Sequence, residues 1–212
     1  MSNEPAAGVR GVTVAIAYHG RFGHTARQAE AVRRGAASVP GTDARLIAVD
    51  TVTEEDWEVL DGADAIVFGS ATYLGDVSAA FRTFAESTSK RWAAQAWQDK
   101  LAAGFVNSGA MSGDKLNALQ SLSVFAAQHG MTWVSLGLLP GWNRSTGTAQ
   151  DLNRLGFWLG AAAQSNGDQG PEEMNPADLA TAEHLGRRVA EQARRLAAAD
   201  AALAADAALA AA

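Results

Sequence analysis

Three short segments of the chain combine glycine with hydroxyl, amide or aromatic side chains, and each follows an apolar run. Residues 19–25 carry two glycines and a threonine at the entry to a helical pattern. Backbone N–H groups in such a loop, together with the dipole of the following helix, form a cradle for an anion. Residues 69–76 add a tyrosine to two glycines and a threonine, and residues 107–113 are again small and rich in donors. Glycine lets the backbone approach a ligand and tyrosine offers a flat face, so the second segment suits a flat ligand.

The first segment matches neither of the two best-known phosphate loops. It is neither GxGxxG nor GxxxxGKS/T, which disfavours a Rossmann dinucleotide site and a P-loop. Taken alone, an ordinary glycine-bearing turn between a strand and a helix explains this segment equally well. Three such segments after three separate apolar runs are more informative than one, because ligands of open parallel sheets bind beyond the carboxyl ends of the strands.

The elements that must position these segments are five apolar runs separated by helical patterns. The runs predict strands at residues 12–17, 46–49, 64–69, 101–106 and 131–136. They lack the alternation of a half-exposed strand, which is typical of a parallel sheet covered on both faces. The pattern therefore predicts an α/β fold with a mostly parallel sheet and right-handed crossovers.

Several helix ends can also be read from the sequence. Thr53 opens a short helix with an acidic first turn, and another helix starts near Ser78. Gly130 stands where a left-handed cap ends a helix. Asn175 and Pro176 begin the last helix with a cap and a proline in its first turn.

The length of 212 residues favours a single domain, which we place at residues 11–198. Residues 1–10 are predicted to be a flexible amino terminus, and residues 199–212 form an alanine-rich, low-complexity tail to which no function is assigned. Residues 137–175 are rich in glycine, asparagine, serine and glutamine and too long for an ordinary connector. Such an excursion favours a functional or oligomer-forming role.

The composition excludes several classes of function. The chain has no cysteine, so it holds no disulfide, thiol nucleophile or iron–sulfur cluster, and its four histidines lack zinc-site spacing. A net charge of −6 disfavours nucleic-acid binding. No apolar stretch is long enough for a membrane span, and the first residues lack the pattern of a secretory signal. We expect a soluble, cytoplasmic protein without a metal site.

At the level of motifs, the chain resembles the flavodoxin-like NAD(P)H:quinone oxidoreductases, in particular the branch first named for tryptophan-repressor binding. The resemblance runs from about residue 12 to residue 134 and, more loosely, over the last helix. Order and spacing are preserved in the segments that carry it: Phe22-Gly23-His24-Thr25, Phe68-Gly69-Ser70-Ala71-Thr72-Tyr73-Leu74-Gly75, Phe81-Arg82-Thr83-Phe84, Lys100-Leu101-Ala102 and His129-Gly130-Met131.

The resemblance implies a three-layer flavodoxin-like fold with five parallel strands in the order 2-1-3-4-5 and FMN, not FAD, as the cofactor. The implied cofactor-binding residues are Gly20, Arg21, Phe22, Gly23, His24 and Thr25 at the phosphate, Ala71, Thr72, Tyr73, Leu74 and Gly75 along the ring, Asn107, Ser108, Gly109, Ala110 and Ser112 in the third loop, and His129. Trp92 and Phe22 are the implied substrate contacts, with Trp92 often supplied by a neighbouring subunit.

The activity implied by the resemblance is two-electron reduction of a quinone, or a similar flat acceptor, by NADH or NADPH. FMN does the redox chemistry, so no nucleophilic side chain is required. Tyr73 and His129 are the candidates for proton delivery. His129 also stands at a helix carboxyl terminus, where a cap role explains it equally well. The implied assembly is a homodimer or a homotetramer.

The sequence departs from the family in all three loops of the site, and residues 110–112 of the third loop are less rich in glycine than in the family. Gly20 replaces the first hydroxyl of the phosphate loop, and Ala71 replaces a proline of the second loop. These departures keep two alternatives open beside the quinone reductase: a flavodoxin-type electron carrier, and an accessory flavin-binding protein without robust reductase activity.

Overall fold

A central parallel sheet lies between two layers of helices in the computed structural model, which describes residues 10–210. The elements in chain order are β1 Val12–His19, α1 His24–Ala37, β2 Thr42–Ala48, α2 Glu54–Gly62, β3 Ala65–Tyr73, β4 Asp76–Val77, α3 Ala79–Ser87, α4 Ser89–Ala93, β5 Leu101–Ser108, α5 Lys115–Gln128, β6 Thr132–Trp133, β7 Ala161–Gln164, a 3₁₀ turn Pro171–Glu173, and α6 Pro176–Ala210. The two apolar clusters on opposite faces of the sheet form the core.

The sheet confirms the predicted α/β class and the reversal of strand order. Its order is β2-β1-β3-β5-β6, with β1 and β3 paired in parallel at the centre. This is the predicted order 2-1-3-4-5 when the short antiparallel strand β4, which extends β3, is set aside. Because β2 and β3 flank β1 on either side, the carboxyl ends of β1 and β3 lie at the switch point of the sheet.

The edge strand is the main difference from the prediction. The run at 131–136 contributes only the two residues of β6, which pair with the start of β5, while β7 pairs with the end of β5. Two segments therefore share one strand position, and residues 134–160 leave the sheet between them. Alanine has low strand propensity, so the alanine-rich β7 gives little signal in the sequence.

The predicted helix ends are found in the structure. Thr53 forms a capping box with Asp56, and the Ser78 side chain accepts a hydrogen bond from the backbone of Phe81. Gly130 follows α5 with a φ of 70°, in the left-handed region that glycine favours. Asn175 accepts a hydrogen bond from the backbone of Ala177 at 2.8 Å at the start of α6.

The last helix is longer than the sequence patterning indicates. α6 continues without a break across residue 198 to Ala210, and residues 201–210 are exposed throughout. Its earlier half packs closely on α1, where a side chain at Gly35 or Gly186 would overlap the backbone of the other helix. Between residues 10 and 210, no helix is both long enough and apolar enough to cross a membrane.

Candidate functional site

A cavity of about 480 Å³ opens at the carboxyl ends of β1, β3 and β5, where the strand order reverses. This volume lies within the range of small-molecule sites. Its lining is drawn from all three predicted loops and from one further segment: Arg21, Phe22, His24, Thr25, Ala71, Thr72, Tyr73, Asn107, Ser108, Gly109, Ser165, Asn166, Gly167 and Gln169. Ten of the predicted site residues therefore meet around one cavity.

The first loop delivers the amino terminus of α1 to this cavity without a side-chain cap. Gly23 precedes the helix with a φ of 82°, no side chain caps the first turn, and the first turn holds no acidic residue. By contrast, Thr53 caps α2 and Ser78 caps α3. The uncapped N–H groups of α1 and the positive end of its dipole are thus directed to an anion.

The departure at Gly20 is linked to Thr25 in the structure. A side chain at position 20 would overlap the Thr25 hydroxyl, so the missing Cβ makes room for that hydroxyl. Thr25 is otherwise buried and lines the cavity. The single hydroxyl donor of this loop therefore comes from the first turn of α1 rather than from position 20.

The second loop is a two-residue hairpin turn between β3 and β4. Tyr73 pairs with Asp76, and the two residues between them, Leu74 and Gly75, have φ values of 50° and 85°. Positive φ at both central positions is typical of a type I′ turn. Asn117 of α5 donates a hydrogen bond to the Gly75 carbonyl at 2.8 Å. The turn is therefore held in place and presents Tyr73 at the rim, while Leu74 is fully exposed.

The third loop is supported from below by a buried ammonium group that the sequence analysis missed. Lys115, the first residue of α5, is fully buried, and its Nζ donates to the carbonyls of Ala110 at 2.6 Å and Met111 at 3.1 Å. Burial lowers the pKa of Lys115 to about 8, against an opposing attraction from Asp178. A lysine at the start of a helix looks like an ordinary surface residue in the sequence, so only the fold reveals this contact.

Two buried polar atoms in the cavity lining test whether the site fits FMN. The Thr72 hydroxyl and the Asn107 side-chain oxygen have no hydrogen-bond partner within residues 10–210. Buried polar atoms are almost always paired in native proteins, so these two indicate a polar ligand. The ribityl hydroxyls of FMN supply such partners, and the uncapped end of α1 suits its phosphate. The residues present therefore fit FMN.

The fourth wall of the cavity comes from the end of the long excursion, which the sequence analysis assigned no site residue. Residues 165–169 follow β7 and close over the first loop. The His24 ring Nε2 and the Gln169 carbonyl lie 3.0 Å apart, and Asn107 donates to the Ser165 hydroxyl at 2.8 Å. This segment lies at the carboxyl ends of the strands because β7 pairs with the last residues of β5. The sequence does not show that pairing.

The structure places His129 and Trp92 away from this cavity. His129 ends α5, whose chain direction is opposite to that of the strands, so it lies near the amino end of β5. It is buried against Trp97 and Phe125, and its Nε2 is 3.0 Å from the Thr88 hydroxyl. Burial lowers the pKa of His129. His129 does not line this cavity within the described chain, and the flavin contact implied by the resemblance stays a prediction.

Trp92 lies in α4 with its side chain about half exposed and does not line this cavity, so its implied contact from a neighbouring subunit stays a prediction. The other predicted residues outside the lining are Gly20, Gly23, Leu74, Gly75, Ala110 and Ser112. They lie in the same three loops without lining the cavity. His184 of α6 is half-buried away from the cavity, with its Nε2 3.1 Å from the Leu136 carbonyl.

The fold and the site together define a flavodoxin-like flavoprotein, and comparisons with known proteins agree. A sequence profile of the NADPH-dependent FMN reductase family matches residues 48–140. Flavodoxin FldP of Pseudomonas aeruginosa is 39% identical over 184 residues, which cover 85% of this chain and 96% of that protein. An NAD(P)H dehydrogenase (quinone) of Methanosarcina acetivorans is 28% identical over 211 residues, covering 88% of this chain and 99% of the relative.

Among solved structures, a WrbA-like flavodoxin of Agrobacterium tumefaciens is similar to this chain with a TM-score of 0.69 and 39% identity. The similarity covers 87% of this chain and 99% of that one. The chain belongs to the flavodoxin-like family of FMN-dependent oxidoreductases. This confirms the family suggested by the sequence motifs and FMN as the cofactor.

Proposed function

We propose that the protein transfers two electrons from NADH or NADPH to a quinone or a similar flat acceptor. The observation that carries the proposal is the open aromatic rim of the cavity. Phe22 is 68% exposed and Tyr73 is 36% exposed, and both border the opening. Aromatic faces that stay in solvent at the mouth of a site suit a flat partner that stacks and leaves again. Relatives named NAD(P)H dehydrogenase (quinone) support the same reading.

When bound, FMN supplies the redox chemistry, and the protein contributes binding, orientation and access. The N–H groups at the start of α1 and the Thr25 hydroxyl hold the phosphate end. Thr72 and Asn107 orient the chain of hydroxyl groups between the phosphate and the ring. The hairpin turn and the third loop border the ring from two sides and leave the rim open for the partners.

Tyr73 is the one proposed proton donor that lies at the cavity. Its hydroxyl oxygen is 3.5 Å from the backbone nitrogen of Arg21, which places the group at the edge of the opening. The buried position of His129 leaves Tyr73 as the candidate within this chain.

A homodimer or homotetramer would complete the site as the resemblance implies. Large apolar side chains stand exposed on α4 and on the excursion, including Trp92, Trp142 and Trp158. Such side chains are typical of surfaces that another protein covers. Light scattering at micromolar concentration should give a multiple of the 22.0 kDa chain mass, and a monomer mass would contradict this assembly.

A second candidate function is that of an electron carrier, since the relative at 39% identity is named a flavodoxin. A carrier needs the same FMN cradle but no site for a pyridine nucleotide. The two candidates therefore differ in how the flavin is reduced.

The discriminating experiment is the anaerobic addition of NADH, and separately of NADPH, to the flavin-loaded protein, followed by a benzoquinone. If the protein is a reductase, the flavin absorbance bleaches when NADH or NADPH is mixed in and returns when the quinone is added. For the carrier, the absorbance persists with either nucleotide and bleaches only with a chemical reductant such as dithionite.

A further inference from the structure

A second groove of about 520 Å³ lies directly beside the flavin cavity, on the side of β2. The two concavities share three residues, Arg21, Phe22 and Tyr73, which form a common wall. The far side of the groove is formed by His19, Asp50 and the start of α3 from Ser78. A ligand that occupies both concavities must therefore cross the wall formed by the arginine and the two aromatic rings.

Asp50 is the acidic group of this groove. It follows β2 by two residues, at the same carboxyl edge of the sheet as the flavin cavity. Its side chain is 50% exposed, and among residues 10–210 its one basic neighbour within 4 Å is His19, with 3.9 Å between Nε2 and Oδ2. That separation exceeds a hydrogen bond, so both carboxylate oxygens remain free to accept from a ligand.

His19 is fixed from its other side. Its Nδ1 lies 2.8 Å from the Ser78 hydroxyl oxygen, which itself accepts the backbone N–H of Phe81 at 3.2 Å. This contact orients the ring so that its Nε2 edge faces Asp50. The histidine side chain is 11% exposed, so the ring lies largely buried behind the carboxylate.

Arg21 and the two aromatic rings supply the remaining chemistry. Arg21 forms no ion pair within the described part of the chain and lines both concavities. A free guanidinium is suited to a pyrophosphate. Phe22 and Tyr73 also line both concavities and supply aromatic surface to the wall. The shared wall thus carries a cation and two aromatic rings, and the acceptor carboxylate lies in the groove alone.

We propose that this groove binds the adenosine half of the nicotinamide dinucleotide, with Asp50 accepting hydrogen bonds from the ribose hydroxyls and Arg21 contacting the pyrophosphate. The inference rests on the proposed function and extends it to a choice of electron donor. The chain lacks the glycine fingerprint of Rossmann folds, but the chemistry is the same as there, where a carboxylate accepts hydrogen bonds from the hydroxyls of an unphosphorylated ribose. The same carboxylate repels a 2′-phosphate, so the groove selects NADH over NADPH.

Binding of two fragments to the flavin-loaded protein tests this selection without any electron transfer. Titration calorimetry compares ADP-ribose with 2′-phospho-ADP-ribose. We expect the wild type to bind ADP-ribose at least about tenfold more tightly, because hydrogen bonds to a charged group and like-charge repulsion act in the same direction. Asp50→Asn should bring the two affinities to within about threefold.

Asp43→Asn is the matched control. It removes the same charge at the opposite end of β2, near the amino end of the strand, where Asp43 is exposed and lies near Arg45. Its preference for ADP-ribose should equal that of the wild type. Equal affinity of the wild type for both fragments, or no binding of ADP-ribose, overturns the proposal even if Asp50→Asn fails to fold.

Failure of this inference is distinguishable from failure of the proposed function. If NADH bleaches the flavin but the two fragments bind equally, the groove is misassigned and the reductase stands. If ADP-ribose binds with the expected preference but neither nucleotide bleaches the flavin, the groove is correct and the redox function is wrong.

Discussion

The first and third loops hold the two ends of the same cavity by different means. Both precede helices whose first turns have no side-chain cap, α1 and α5. The first loop offers neutral donors, the helix end and the Thr25 hydroxyl, and all of them are local in sequence. The third loop depends on the ammonium group of Lys115, buried beneath it.

The donors of the first loop are therefore suited to binding an anion, whereas Lys115 supports the conformation of the third loop. A cradle of backbone N–H groups neutralises a phosphate without burying a cation, so the first loop avoids a desolvation cost. The third loop incurs that cost, which is visible in the lowered pKa of Lys115. Substitutions in the first loop should therefore change affinity for the phosphate, whereas substitutions under the third loop should change stability and its dependence on pH.

Gly23→Val should have the largest effect. Gly23 has a φ of 82°, and a Cβ there would lie 3.1 Å from Pro171 Cγ. A β-branched residue would therefore strain the backbone and displace Pro171, which follows the fourth wall of the cavity. We expect FMN affinity to fall by more than about 100-fold in fluorescence titrations of the apo-protein. Gly62→Val, where no heavy atom lies within 4 Å of a Cβ, is the control and should bind FMN normally.

Thr25→Val should have the next largest effect. It keeps the shape of the side chain and deletes one hydroxyl donor to an anion, a contact worth ~1.5–3 kcal/mol. The FMN dissociation constant should rise by roughly one to two powers of ten. Thr132→Val makes the same change at an exposed position of β6, at the opposite end of the sheet, and should leave affinity unaltered. Unaltered FMN affinity of Thr25→Val would mean that the phosphate loop is misassigned.

Lys115→Met should lower FMN affinity least, by about threefold to tenfold, because it removes hydrogen bonds within the loop rather than to the ligand. Its clearer signature is in stability. Between pH 8 and about 10.5, the unfolded wild type keeps the proton that folded Lys115 has lost, so the free energy of unfolding rises with pH. Lys115→Met should lack this rise, which is at most about 3 kcal/mol.

Urea unfolding at several pH values measures the rise in the free energy of unfolding, and the difference between wild type and Lys115→Met gives the part that Lys115 contributes. Lys90→Met, at an exposed lysine of α4, is the control and should keep the rise. A pH profile of Lys115→Met that parallels the wild type would show that Lys115 is not the titrating group.

The sequence predicted most of the fold because the signals are local. β1, β3 and β5 are continuous apolar runs, and Thr53, Ser78 and Asn175 mark helix starts with side chains that bond within three residues. The split edge strand was not predicted, because β7 is alanine-rich and has little strand propensity of its own. Its pairing with β5 is what makes this segment a strand.

The same distinction holds for the site. The first loop was readable because glycine, threonine and the helix start follow one another in the chain. The wall at 165–169 and Asp50 were not, since each lies against residues far away in sequence. Lys115 contacts carbonyls only four and five residues away, but its burial depends on the packing of the fold. His129 is the reverse case: the motif match implies a flavin contact, and the direction of α5 places the side chain near the other end of the sheet within this chain, so that contact stays a prediction.

The central claim is that residues 20–25 bind the phosphate of FMN, and the most direct test compares FMN with riboflavin, which lacks that phosphate. Titrations of apo-protein with both flavins are made for the wild type and for Thr25→Val. The account predicts that the variant loses FMN affinity by roughly one to two powers of ten while its riboflavin affinity equals that of the wild type. Equal losses for both flavins, or no loss for either, would contradict it.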